Sequence, residues 1–190
     1  MGLLSFALNV TLDGCYDHRV MIADDELHRY FTRLMNAAGA VLYGRTTYEL
    51  MESAWPAVAR DEKAPRAMRQ WARDLEAKPK YVVSASRRDF AWDNTFHVDG
   101  DLRAAVQRLK KKTPRGLLVG GPKLAAALER LGLIEEYHLV VHPILAGHGP
   151  TLFQGLEPSR QLELVATKRL KSGVMALHYR RKAGRRHSQA

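Results

Sequence analysis

Two places in this chain run a short apolar strand straight into a helix through glycine, and they constrain the fold more than any other feature. The first is Val41-Leu42-Tyr43-Gly44-Arg45-Thr46-Thr47, and the second is Leu117-Leu118-Val119-Gly120-Gly121-Pro122-Lys123. Ala40–Tyr43 and Leu117–Val119 are apolar at consecutive positions, as a strand covered on both faces must be. A helix that starts at the carboxyl end of such a strand aims its unpaired first-turn N–H groups, and its positive dipole end, at one spot. Two such starts on one sheet form a cradle for a pyrophosphate. Glycine lets the ligand approach the backbone, and Arg45 and Lys123 add positive charge. Neither junction has the spacing of a Walker A loop or of G-x-G-x-x-G, which argues against ATP hydrolysis and against the ordinary dehydrogenase fold.

The rest of the chain supplies a sheet and its covering helices. Leu4, Phe6, Leu8, Val10 and Leu12 alternate with smaller or polar residues, the period of a strand, and Asp13-Gly14 ends it. Leu27, Tyr30, Phe31, Leu34 and Met35 trace a helical face, with Asp24 as its cap and Asp25 and Glu26 at its positive end. Thr46 and Glu49 have capping-box spacing for a second helix. Pro65 opens a third helix, Asp101 a fourth, and Pro122 sits at the first position of a fifth. Tyr81–Val83, Thr95–Val98 and His138–His142 read as further strands. Leu162–Leu170 and Val174–Tyr179 flank Lys171-Ser172-Gly173 as a β-hairpin. The expected architecture is α/β, a three-layer sandwich with a mainly parallel central sheet and an antiparallel C-terminal hairpin. One domain is expected over residues 1–182, followed by a polar tail over 183–190.

Composition narrows the function classes. The chain has 190 residues and one cysteine, Cys15, so neither an intramolecular disulfide nor a cysteine-based zinc site can form, and no metal is expected. Cys15 reads as a small packing residue in its turn. Residues 1–12 lack the pattern of a signal peptide, and no apolar run approaches the ~20 residues that cross a bilayer. A cytoplasmic protein with no membrane partner is expected. The net charge of +10 is scattered rather than gathered into a motif. That pattern favours attraction of small polyanions over nucleic-acid binding.

Read in order, Thr11-Leu-Asp13-Gly14, Leu42-Tyr-Gly44-Arg45-Thr-Thr-Tyr48-Glu49, Tyr81-Val-Val-Ser84, Leu118-Val-Gly120-Gly121, Leu133-Ile-Glu-Glu-Tyr137, Pro143-Ile-Leu-Ala-Gly147 and Gly173-Val174 through Tyr179 resemble the dihydrofolate reductase superfamily. More narrowly, the chain is similar to the C-terminal reductase domain of bifunctional riboflavin-biosynthesis deaminase-reductases. The resemblance implies NADPH as cofactor. Gly44, Arg45, Thr46 and Thr47, with Gly120, Gly121, Pro122, Lys123 and Leu124, would flank its pyrophosphate. Ser84, Ser86 and Arg87 would hold the 2′-phosphate, and Ala7 and Gly14 would lie beside the nicotinamide. It also implies a cis peptide between Gly120 and Gly121, and a homodimer formed partly by the C-terminal strands.

The chain departs from these relatives in three places. The deaminase zinc ligands cannot be assembled from one cysteine. Asp24, Asp25 and Glu26 stand at the helix start where dihydrofolate reductases carry a buried acid. Val119 stands where riboflavin-pathway reductases usually carry a carboxylate. The reading is therefore an NADPH-dependent reductase of a pterin- or pyrimidine-like heterocycle, with poor turnover of the riboflavin intermediate itself. Leu27, Tyr30, Phe31 and Trp55 are the candidate substrate wall. Asp13 is the candidate proton relay or orienting group, and His142 reads as structural. A non-catalytic NADPH-binding protein and a basic nucleic-acid accessory protein are the alternatives.

Overall fold

The computed structural model describes residues 1–182; the tail expected over 183–190 lies outside them. Eight strands form one sheet: β1 (Leu4–Thr11), β2 (Ala40–Gly44), β3 (Lys80–Val83), β4 (Thr95–Val98), β5 (Leu117–Gly120), β6 (Glu136–His142), β7 (Leu162–Arg169) and β8 (Met175–Arg181). Among the described residues five α-helices accompany them: α1 (Asp25–Ala37), α2 (Arg45–Arg60), α3 (Arg66–Ala77), α4 (Leu102–Lys112) and α5 (Pro122–Arg130). The strands run in the order β4-β3-β2-β5-β1-β6-β8-β7. Pairing is parallel from β4 to β6, and β8 then joins β6 antiparallel and carries β7 as the outer strand of the expected hairpin.

Strand periodicity sorts the helices into two layers. Leu4 and Phe6 of β1, Leu42 of β2 and Leu117 and Val119 of β5 pack with Val106 of α4 and Leu124 and Leu128 of α5. Their neighbours in sequence, Ala7, Val41 and Leu118, turn the other way and pack with Met35 of α1, Tyr48 of α2 and Leu75 of α3. Phe6, Leu42, Leu75 and Leu128 are wholly buried. At roughly 1.5–3 kcal/mol for each large apolar side chain buried, these layers supply the main drive to fold.

Local signals at helix starts are mostly realised. The Asp24 carboxylate accepts the Leu27 amide at 2.8 Å, and that of Asp101 accepts the Ala104 amide at 2.8 Å. Pro122 is the first residue of α5. The capping box expected at Thr46 is not formed. Gly44 of β2 is itself the residue before the helix, α2 begins at Arg45, and no side chain caps it. Arg45 draws Glu49 instead, at 3.2 Å, one turn along the same helix face. The Gly120–Gly121 peptide is not cis, since among the described residues the one cis bond is Glu157–Pro158. Gly121 turns the chain with φ +97°, a conformation open to glycine, so a trans bond suffices there.

The hairpin is tied to the body through a buried carboxylate. Glu129 of α5, 1% exposed, accepts hydrogen bonds from Arg181 of β8 at 2.6 Å and from the Tyr137 hydroxyl of β6. Cys15 is a packed turn residue, as expected: it is buried, and its Sγ lies 3.4 Å from the Asp17 amide, which donates to it.

Candidate active site

Parallel pairing brings the carboxyl ends of three strands level with the middle of a fourth. Val83 of β3 is level with Gly44 of β2, Tyr43 of β2 with Gly120 of β5, and Val119 of β5 with Phe6 of β1. The segment after β3, both glycine junctions and the middle of β1 therefore lie in a row.

The two junction helices differ from α1 and α4 at their starts. Those two are capped by aspartate, whereas α2 and α5 begin after Gly44 and Gly121 with no side-chain acceptor on their first-turn amides. Their free N–H groups and positive dipole ends leave the crevice receptive to an anion. The junctions also meet closely. A Cβ on Gly121 would fall 2.1 Å from Thr47 Oγ1, and one on Gly120 would fall 2.4 Å from the Tyr43 ring. A larger residue at Gly121 would push α5 away from α2, and one at Gly120 would displace the Tyr43 ring of β2.

Beside this crevice opens a cavity of about 500 Å³. Its floor includes Ala7, Asn9, Val119, Gly120 and Gly121, and its walls include Leu27, His28 and Phe31 of α1, Thr47 and Trp55 of α2, and Trp71 of α3. Leu27, Phe31, Trp55 and Ala7, all expected at the site, line this cavity. The walls hold aromatic edges: the His28 and Trp55 rings meet edge-on at 6.4 Å between centroids, and Trp55 and Trp71 at 5.9 Å. Among the described residues, no Asp, Glu, Lys or Arg lines it.

Other expected site residues lie outside the cavity. Tyr30 points to the far side of α1, where its hydroxyl lies 3.4 Å from His138 Nδ1. Asp13 is a loop clamp, not a group facing the cavity. Its carboxylate accepts the Thr11 hydroxyl and the amides of Ala146, at 3.1 Å, and Gly147, at 2.8 Å. These bonds, the Thr11 hydroxyl foremost, bring its pKa down to about 2, so it is a poor proton donor. Gly14, in the same loop, has φ +82° and open space around it. Arg45, Thr46 and Lys123 are exposed on the crevice rim, while Leu124 is part of the core behind it.

After β3, Ser84 is buried and its hydroxyl accepts the Arg87 amide at 2.9 Å, which shapes the loop. The Arg87 guanidinium pairs with Glu52 at 2.8 Å and lies 5.1 Å from the Tyr48 ring centroid. Ser86 and Arg88 are exposed on that loop.

Asn9, His28 and His142 were not singled out for the site. The Ile22 amide donates to His142 Nδ1 at 3.1 Å, and His142 Nε2 lies 3.0 Å from Asn9 Oδ1. A backbone N–H can only donate, so Nδ1 carries no proton, and Nε2–H donates to the Asn9 oxygen. Burial lowers the His142 pKa and favours this neutral form. The Asn9 NH2 group is thereby left as the donor available to the cavity. The only sequence signal for Asn9 was its place on the more polar face of β1.

Comparison with known proteins identifies the fold and the family. The chain is 28% identical over 179 residues to YyaP, an uncharacterized protein of Bacillus subtilis, an alignment covering 90% of this chain and 91% of that one. A putative riboflavin biosynthesis protein from Shewanella sp. PV-4 superposes with a TM-score of 0.72 at 23% identity, covering 95% of this chain and 99% of that one. A diaminohydroxyphosphoribosylaminopyrimidine deaminase/5-amino-6-(5-phosphoribosylamino)uracil reductase from Thermotoga maritima superposes with a TM-score of 0.67 at 16% identity, covering 95% of this chain and 56% of that one. These likenesses establish a dihydrofolate-reductase-like fold. Residues 4–176 match the model of the RibD C-terminal domain, and the chain belongs to that family.

Proposed function

We propose that this protein is an NADPH-dependent reductase that reduces a small, flat, pterin- or pyrimidine-like heterocycle carrying no phosphate. The observation that carries this reading is the pairing of two uncapped helix starts with an adjoining apolar cavity. Family membership supports reductase chemistry, and the first-turn amides of α2 and α5 suit a pyrophosphate. When bound, the cofactor supplies the hydride. The chain's own residues do the rest. Ala7 and Gly121 seat the nicotinamide, Phe31 and Trp55 stack on the substrate and exclude water, and the Asn9 amide orients a substrate carbonyl. His28, on the α1 wall, supplies the accompanying proton.

Two parts of the proposal follow from charge. Glu52 already neutralises Arg87, so Ser86 and Arg88 are the partners proposed for the 2′-phosphate. Among the described residues no Lys or Arg lines the cavity, so a phosphoribosyl group there would lack a permanently cationic partner. That argues against the riboflavin intermediate as substrate.

The test is calorimetric titration with NADPH and NADH. A charge-assisted contact contributes about 1.5–3 kcal/mol, so NADPH should bind about tenfold tighter or more, and Arg88→Ala should remove most of that margin. Equal affinities in the wild type would sink the cofactor assignment. NADPH absorbance is then followed with pterins, pyrimidines and the phosphoribosylamino-pyrimidine. Turnover of the last at roughly 1–1000 per second would overturn the substrate assignment.

A further inference from the structure

A second group of polar side chains lies under α1, on the far side of that helix from the cavity. Glu136 and His138 are two apart on β6 and so share one face of the sheet. His178 of β8 is the direct cross-strand partner of His138, and the two imidazoles stack at 4.2 Å between centroids, 18° from parallel. His178 Nε2 lies 3.7 Å from Glu136 Oε1. One ligand atom from each of the three residues lies within 4.8 Å of the others.

This cluster is unusual in what it leaves unbonded. His178 Nε2 is buried and has no hydrogen-bond partner among the described residues. His138 is 8% exposed, and its one polar contact there is the long one to Tyr30. A buried ring nitrogen without a partner costs free energy, and a bound cation would offset that cost. The Glu136 carboxylate is held in place by Ser5, whose hydroxyl donates at 3.3 Å, and by Arg180 at 3.0 Å. Such outer partners orient a ligating carboxylate. Glu136 and His138 also line a separate cleft of about 350 Å³, bordered by Leu3, Ser5, Leu34 and Arg115, which gives an ion a path in.

We propose that Glu136, His138 and His178 bind one divalent transition-metal cation, with Zn²⁺ as the representative ion. Two imidazoles and a carboxylate are the donor set such ions take, at about 2.0–2.2 Å from each ligand atom. Ligand atoms around a tetrahedral ion stand ~3.4 Å apart, and the three here already lie within 4.8 Å of one another, so closing the site requires the two stacked imidazoles to turn about their side-chain bonds until their in-plane lone pairs meet at the ion. The three residues leave a fourth position open toward the cleft. The site joins β6 to β8 and so fastens the hairpin to the parallel part of the sheet. Arg180, bonded to Glu136 Oε1, carries positive charge close to the site and weakens cation binding there.

The experiment uses the untagged full chain, stripped with chelator and titrated with ZnCl2 by calorimetry and with CoCl2 by visible absorption. The expected result is one ion per chain, a raised melting temperature, and cobalt d–d bands of a low-symmetry nitrogen/oxygen site. His178→Gln should weaken Zn²⁺ at least tenfold, whereas His97→Gln, at an imidazole that bonds the Ser84 carbonyl, should leave binding unchanged. The cobalt spectrum reads the donor set in the wild type, so the proposal stays testable if a variant misfolds. Absence of saturable binding below millimolar Zn²⁺, or unchanged binding in folded His178→Gln, would overturn it.

Discussion

The His142 imidazole and the Asn9 carboxamide, 3.0 Å apart, hold each other in a single orientation because the Ile22 amide occupies the other ring nitrogen. The chain from Ile22 through His142 to Asn9 links the loop before α1 to the cavity floor. Replacing His142 by leucine strands the Ile22 N–H and frees Asn9 to rotate. An unsatisfied buried donor costs about 1–3 kcal/mol. In a domain of this size each kcal/mol lowers melting by roughly 2–4 °C. Differential scanning fluorimetry of His142→Leu should show that drop. An unchanged melting point would mean that the loop is held by something else.

Burial pushes the His138 pKa from 6.5 down to about 4, with the neighbouring His178 adding to the effect, and burial lowers His142 as well. A histidine whose folded pKa is depressed binds fewer protons folded than unfolded between those two values. Stability is then intact above about pH 6.5 and declines as the pH falls toward 4. For His138 alone the loss amounts to about 3 kcal/mol across that window. Asp13, at about 2, keeps its loop contacts throughout it. Urea midpoints measured in chelator should fall steadily from pH 7 to pH 4.5 in the wild type, and less in His138→Leu. A flat profile would show His138 to be more hydrated than its burial indicates.

Much of this molecule is legible locally. The alternation in β1, the aspartate caps of α1 and α4 and the proline opening α5 each depend on residues within a turn or a few positions of one another. The same holds for the glycine junctions and for Leu27 and Phe31, which share a helical face. What escaped depends on register across the sheet. Asn9 and His142 are 133 residues apart, and His138 meets His178 only because β6 and β8 pair in one particular register. Two local signals also misled. Glu49 has capping-box spacing but answers to Arg45, and Tyr30 has the helical phase of the wall yet turns to His138 on the other side of α1.

Gly121 offers a sharp test of the crevice. Its φ of +97° disfavours any side chain, and a Cβ there would collide with Thr47 Oγ1 at 2.1 Å. Gly121→Ala should lower stability by at least 1–3 kcal/mol and weaken NADPH binding, since α5 must shift off α2. Adding Thr47→Ala relieves the collision but not the dihedral, so the double variant should recover only part of the loss. Full recovery would show that contact, not backbone conformation, demands glycine at this position.

The last prediction is assembly as a homodimer through the C-terminal hairpin. Every residue of β7 from Glu163 to Arg169 is exposed, including Leu164 and Val165, which are 52% and 44% exposed. An outer strand of this kind offers unpaired backbone groups together with apolar side chains, a combination proteins either cover or blunt. The blunting here is partial. The pairing of β7 with β8 shifts register between Leu164 and Ala166, and a bulge of this kind discourages simple strand addition. Contact by the faces of two hairpins, related by a twofold axis, covers Leu164 and Val165 without needing a continuous ladder. Light scattering at micromolar concentration should return twice the mass of one chain. Leu164→Glu with Val165→Lys should give monomers with an unaltered circular dichroism spectrum, because neither side chain belongs to the protein's own core. A wild-type mass of one chain would leave that apolar strand without a partner and refute the dimer.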